Sequence, residues 1–136
     1  MATPFLLDTN ILIAALKGHA TVRRHLETTP IASLRLSAIV LGELEFGAEK
    51  SAYAERNRSR LAELSQRLTL VGIDADIARH YAAIRADLES RGTPIGANDL
   101  WIAAQARSLG ATLVTDNQRE FKRVPDLRLT NWLETA

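Results

Sequence analysis

Five acidic or amide side chains stand where short apolar runs end or helices begin. Asp8 follows Phe5-Leu6-Leu7, and Asp116 and Asn117 follow Leu113-Val114-Thr115. Asp99 opens an apolar-periodic stretch, and Glu43 lies about two turns into another. Each has an ordinary explanation on its own. An acid beside a helix N-terminus complements the helix dipole, and Glu43 has the same surroundings as the solvated Glu45 or Glu49. The conjunction says more. Three or four carboxylates brought to one rim without a lysine partner repel one another, so a cation must sit among them. Carboxylate oxygens suit a hard cation such as Mg²⁺.

The elements that must position these groups alternate. Phe5 to Leu7 reads as a buried strand. Ile11 to Leu16 follows as a helix stopped by Gly18, and Thr21 to Glu27 as a second. Ile31 to Leu36 reads as a strand. Ser37 is placed to cap a helix carrying Ile39, Val40, Leu41 and Leu44. Tyr53 to Leu68 is predicted as a helix, then Leu68 to Ile73 as a strand. Asp76 to Ser90 is helical, closed by Gly92 and Pro94. Asn98 caps a helix from Asp99 to Leu109, which Gly110 ends. Ala111 to Val114 and Leu127 to Leu129 are the last strands. This order predicts an α/β fold, a central parallel β-sheet flanked by helices on both faces, in one domain over residues 1–136. Ligands then bind outside the carboxyl ends of the strands, where the acids lie.

Composition removes other chemistries. The chain has 136 residues and no cysteine, which excludes a disulfide framework, a thiolate metal site and a cysteine nucleophile. The longest apolar run, Ile11 to Leu16, is far below the roughly 18 residues of a membrane span. No signal peptide is visible, so a cytoplasmic protein is expected. The net charge of +1 argues against holding nucleic acid by bulk charge. Of 17 basic residues, however, all but Lys17, Lys50 and Lys122 are arginine, whose planar fork suits phosphate. His19, His25 and His80 lie on helices away from the strand ends, against a serine–histidine–aspartate site. No glycine-rich phosphate loop occurs. Asp8-Thr9-Asn10 opens like a haloacid-dehalogenase-type phosphatase, but Asn10 stands where that family needs its second aspartate. The acid pattern of a receiver domain is missing too.

Five ordered blocks carry a resemblance. They are Phe5 to Ile11, Ser37 to Ala48, Ile84 to Leu88, Pro94 to Ala103, and Leu113 to Asn117 with Glu120-Phe121. Together they span nearly the whole chain. The sequence resembles the PIN-domain ribonucleases, and within them the VapC toxins of VapBC toxin–antitoxin pairs, especially the enteric branch that cuts the initiator transfer RNA. The resemblance implies a metal-dependent endoribonuclease that inhibits translation. It implies that Asp8, Glu43 and Asp99 hold Mg²⁺ or Mn²⁺ and carry catalysis. Thr9, Asn10, Ser37 and Thr115 match polar neighbours that orient carboxylates and waters. Most PIN domains have an aspartate where this chain has Asn117, so Asn117 and Asp116 are assigned an outer, positioning role. Asn117 makes one-metal catalysis credible.

The resemblance also implies partners. Arg85, Arg91, Arg119, Lys122 and Arg123 lie near the motifs in sequence and are candidates to meet RNA. A VapB antitoxin would lay an apolar helix in a groove, with Leu41, Leu44, Phe46, Ala48 and Tyr53 as candidate walls, and bring a basic side chain to the carboxylates. A homodimer is expected. Two other readings stay open, a metal-dependent phosphatase on a similar sheet and an inactive PIN-like RNA-binding module.

Overall fold

Five short parallel strands form one sheet in a computed structural model that describes residues 3–134. They are β1 (Phe5–Leu7), β2 (Leu34–Ser37), β3 (Thr69–Val71), β4 (Thr112–Val114) and β5 (Arg128–Thr130), in the spatial order β3-β2-β1-β4-β5. The central pair is the most apolar: Leu6, Leu7, Leu113 and Val114 are fully buried. Strands covered on both faces need such continuous apolar runs. The edge strand β3 leaves Leu70 exposed.

Among the described residues seven α-helices connect the strands: α1 (Thr9–Leu16), α2 (Ala20–Thr28), α3 (Ala38–Lys50), α4 (Ala54–Ser65), α5 (Ala75–Ser90), α6 (Ala97–Leu109) and α7 (Gln118–Phe121). The chain moves outward from β1 to β3, then returns past β1 to β4. With right-handed crossovers this reversal assigns α1–α4 to one face of the sheet and α5–α7 to the other. It also makes the junction of β1 and β4 the switch point, where the loops leave in opposite directions and open a crevice. Ile11, Leu12, Val40, Ile84, Ile102 and Phe121 fill the layers between helices and sheet. Among the described residues no helix is long and apolar enough to cross a membrane.

The alternation of elements matches the expected α/β order, with differences at the ends. Ile31–Ser33 forms a turn of 3₁₀ helix after Pro30, so the second strand starts at Leu34 rather than Ile31. The helix expected from Tyr53 to Leu68 is shorter, as is the strand expected from Leu68 to Ile73. Asn98 does not cap α6. Gly96 occupies that position without a side-chain bond, and Asn98 lies inside the first turn. Gly110 does end α6: its φ of 64° is left-handed, a conformation that favours glycine.

Candidate active site

The switch point carries the first part of the site. Asp8 ends the β1 run and caps α1, its Oδ1 accepting from the Thr9 amide at 2.9 Å. Its Oδ2 accepts from the Thr115 hydroxyl at 2.7 Å, across the seam between β1 and β4. Thr115 is itself fully buried, and its hydroxyl oxygen accepts from the Asn117 amide at 3.0 Å. Asp8 is therefore aimed by two fixed donors and keeps only 6% exposure. Burial pushes its carboxyl above the ordinary range. The bonds from Thr115 and Thr9 oppose that rise, and the charge on Asp116 adds to it.

The remaining acids come from helices. Asp99, in the first turn of α6, has a carboxyl pushed up to about 7. Partial burial is the main cause, followed by the charge on Asp8, a hydrogen bond shared with Glu120, and the charges on Glu120 and Glu43. Glu43, in α3, accepts from the Thr9 hydroxyl at 3.2 Å on one oxygen and from the Asn98 amide at 3.4 Å on the other. Glu120, in α7, accepts from the Asn117 side-chain amide at 2.7 Å.

Four carboxylates thus share one field. Among the described residues none of them, nor Asp116, forms a salt bridge. Nor, among the described residues, do three of them close around one ion position: Asp8, Glu43 and Glu120 each turn toward a neutral donor. The donor set still fits a hard divalent cation, because it consists of carboxylate oxygens whose mutual repulsion no basic side chain relieves.

The structure sorts the other expected residues. Thr9 and Thr115 do touch the carboxylates. Asn10 donates to Asp116 at 3.2 Å on the exposed rim. Ser37 touches no carboxylate. Its hydroxyl caps α3 through the Ile39 amide and donates to Gln105 Oε1 at 2.5 Å. Gln105 is fully buried and donates to the carbonyls of Gly72 at 2.9 Å and Val71 at 3.2 Å, so Ser37 belongs to a strut under the site. Asn117 engages Glu120 and not the other acids.

Of the basic candidates, Arg85 is held by Glu89 and the Tyr81 hydroxyl, Arg91 by Asp87 and the Arg123 carbonyl. Arg123 donates to the Pro94 carbonyl at 2.9 Å. These three are engaged by neighbours, whereas Arg119 and Lys122 are exposed. Of the expected groove walls, Leu44 and Ala48 line a cavity of about 440 Å³. Leu41 packs on the core, and Phe46 and Tyr53 project into solvent outside that cavity.

Sequence reasoning gave Glu120 too small a part and gave Gln105 none. The signal for Glu120 is the three-residue spacing from Asn117, which only a helix starting at residue 118 makes into a contact.

Comparisons with known proteins agree with this geometry. The family model described as the PIN domain matches residues 5–127. Ribonuclease VapC2 of Haemophilus influenzae is 42% identical over 134 residues, covering 95% of this chain and 98% of that protein. The tRNA(fMet)-specific endonuclease VapC of Salmonella typhimurium is 40% identical, covering 94% and 97%. A crystal structure of VapBC2 from Rickettsia felis bound to a DNA fragment from their promoter contains a chain with TM-score 0.89 and 39% identity, covering 96% and 99%. PIN-domain ribonucleases generally depend on a divalent metal. With a carboxylate rim at the switch point and relatives alike over nearly their full length, the chain belongs to the PIN-domain family and, within it, to the VapC ribonucleases.

Proposed function

We propose that residues 1–136 act as one PIN domain, an endoribonuclease toxin of the cytoplasm that uses Mg²⁺ or Mn²⁺ to hydrolyse RNA phosphodiester bonds. Its proposed substrate is the initiator transfer RNA, the RNA that the Salmonella relative is named for. The observation that carries this reading is the unrelieved carboxylate rim: Asp8, pinned by Thr115, in one field with Asp99, Glu43 and Glu120.

A bound divalent ion supplies Lewis-acid polarisation of the phosphate and a more acidic water. Asp8, Asp99 and Glu120 are the residues that would hold it. Glu43, oriented on one oxygen by Thr9 and on the other by Asn98, takes up the proton of the attacking water. Thr115 aims Asp8 and opposes the rise that burial gives its carboxyl, and Asn117 aims Glu120. Ser37 acts further back, through Gln105. Asn10 holds Asp116 at the rim.

The family relationship supports a homodimer and control by a VapB-type antitoxin, as in the VapBC assembly from Rickettsia felis. An apolar antitoxin segment fits the inner cavity wall of Leu44 and Ala48, beside Glu43. The test is incubation with initiator and elongator transfer RNAs and with a phosphomonoester, each with Mg²⁺, Mn²⁺ or EDTA. Metal-dependent cleavage of the initiator RNA is expected. Phosphomonoester hydrolysis alone would make the chain a phosphatase, and RNA binding without cleavage an inactive module.

A further inference from the structure

One polar side chain interrupts the buried run of α6. Ile102, Ala103, Ala104 and Ala106 are fully buried, and Gln105 among them is equally inaccessible. An amide in such a place costs stability unless its polar atoms find partners. Its Oε1 accepts from the Ser37 hydroxyl at 2.5 Å, and its Nε2 donates to the carbonyls of Gly72 at 2.9 Å and Val71 at 3.2 Å. Carbonyls can only accept, so the amide has one orientation. Ser37 and Val71 are partners in register at the carboxyl ends of β2 and β3. Gln105 therefore clamps α6 to the edge of the sheet that carries the acids.

The clamp is one of two links between α6 and α3. Ser37 caps α3, and Glu43 lies two turns on, about 9 Å along the helix. Asn98 lies one heptad before Gln105, about 10 Å along α6 and within about 20° of the same face. Asn98 meets Glu43 as Gln105 meets Ser37, so the two helices run antiparallel between links of matched spacing. The links are unequal. Asn98 to Glu43 is long, at 3.4 Å, and exposed, whereas Ser37 to Gln105 is short and buried. Thr9 ties Glu43 to α1 and does nothing to hold α6. The separation of Asp99, beside Asn98, from Glu43 thus depends on the buried link.

We propose that Gln105 is a positioning residue of the centre: by holding α6 against the start of α3 it sets the separation of Asp99 from Glu43. It touches neither acid. The proposal rests on reading the rim as the centre of a metal-dependent ribonuclease. The two carbonyl bonds alone would make Gln105 a strut of the sheet edge, and the Ser37 bond is what carries that strut to the helix of Glu43. A slip at the clamp moves one acid against the other, and a misplacement of about 1 Å can cost roughly a hundredfold in rate.

The test compares Gln105→Met, which keeps the reach of the side chain and loses its polar atoms, with Ser37→Ala, which leaves the carbonyl bonds in place. Val22→Ala, at a fully buried position in α2, controls for lost stability. All are measured below the melting temperature of the least stable protein. Mn²⁺ affinity is read by calorimetry, and kcat and KM on initiator transfer RNA. Gln105→Met and Ser37→Ala are each expected to bind Mn²⁺ roughly fivefold more weakly and to lose about tenfold in kcat, with KM within about twofold. Val22→Ala should match wild type in all three. Because Gln105 acts through Ser37, the double variant should lose no more kcat than Gln105→Met alone. If Gln105→Met does not fold, Ser37→Ala carries the test.

A lower melting temperature with unchanged Mn²⁺ affinity and kcat in either variant would overturn the proposal and leave Gln105 a strut of the core. So would additive losses of kcat in the double variant, which would separate Gln105 from Ser37. A wild type that cuts no RNA would instead sink the ribonuclease reading, and the Mn²⁺ titrations would then decide for Gln105: weaker binding in both variants upholds the positioning role, and equal binding overturns it.

Discussion

The Thr115 hydroxyl donates to Asp8 Oδ2 at 2.7 Å across 107 residues of sequence, joining the carboxyl ends of β1 and β4. Both residues are buried; burial raises the Asp8 carboxyl and this bond opposes the rise. Thr115→Val removes the donor and leaves the carboxylate short of a partner. The expected cost is about 1.5–3 kcal/mol at neutral pH, the range for bonds to charged groups, read by urea denaturation. Without this bond the Asp8 carboxyl rises further, so the acidic limb of the cleavage profile moves to higher pH. Thr115→Ser should restore both. A shift shared equally by Val and Ser would contradict the role given to the hydroxyl.

Asp99 makes the metal-free fold sensitive to pH in a definite direction. Its carboxyl is raised from 3.8 to about 7 in the folded protein, so the folded state holds the proton more tightly. That contribution is fully present below about pH 4 and is lost as pH rises to about 7. Melting temperature in EDTA should therefore carry a falling component across that window. Asp99→Asn should remove most of it. Because Asp99 is only half-buried, the component is modest. An identical pH dependence in the variant would mean that the fold does not raise the Asp99 carboxyl.

Asn117 and Glu120 test how this chain completes its rim. The Asn117 amide donates to Glu120, so Asn117→Asp replaces a donor by a second negative charge. The metal-free variant should melt lower at pH 8 and recover with millimolar Mn²⁺. Glu120→Gln should weaken Mn²⁺ binding in a calorimetric titration and slow cleavage by more than about tenfold, or about 1.4 kcal/mol of barrier. Wild-type affinity in Glu120→Gln would remove Glu120 from the site.

Gln105 offers a purely structural check. It accepts from Ser37 and donates to the Val71 and Gly72 carbonyls while fully buried. Gln105→Leu leaves those groups without partners and is expected to cost about 1–3 kcal/mol of stability. Unchanged stability would show that water replaces the amide.

Much of this was legible in the sequence. Apolar runs place Asp8 just after β1 and Asp116 and Asn117 just after β4, because a buried parallel strand needs an unbroken apolar run and its end is where polar residues begin; Thr115 came from the family resemblance. Asp99 follows from a helix start, whereas Glu43 lies inside α3 and is singled out by the family resemblance. Contacts between elements were not legible. Ser37 looked like a neighbour of the acids, but its hydroxyl meets Gln105, which is 68 positions away. Arg85, Arg91 and Arg123 lie close to the motifs in sequence, yet their guanidiniums are taken by Glu89, Asp87 and Pro94. Lys17, Arg60 and Arg67 line one cavity only because α3 packs on both α1 and α4. Asn117 is explained by α7, a four-residue helix too short to show a period.

The central claim is that the carboxylate rim cuts RNA. The direct measurement is the single-turnover cleavage rate of initiator transfer RNA in Mn²⁺ for wild type, Asp8→Asn and Asp99→Asn, alongside their melting temperatures. Each variant removes one charge from a mutually repelling set, so each should melt at or above the metal-free wild type while its cleavage rate falls by a hundredfold or more, about 2.7 kcal/mol. A folded variant that cuts within tenfold of wild type would contradict the account.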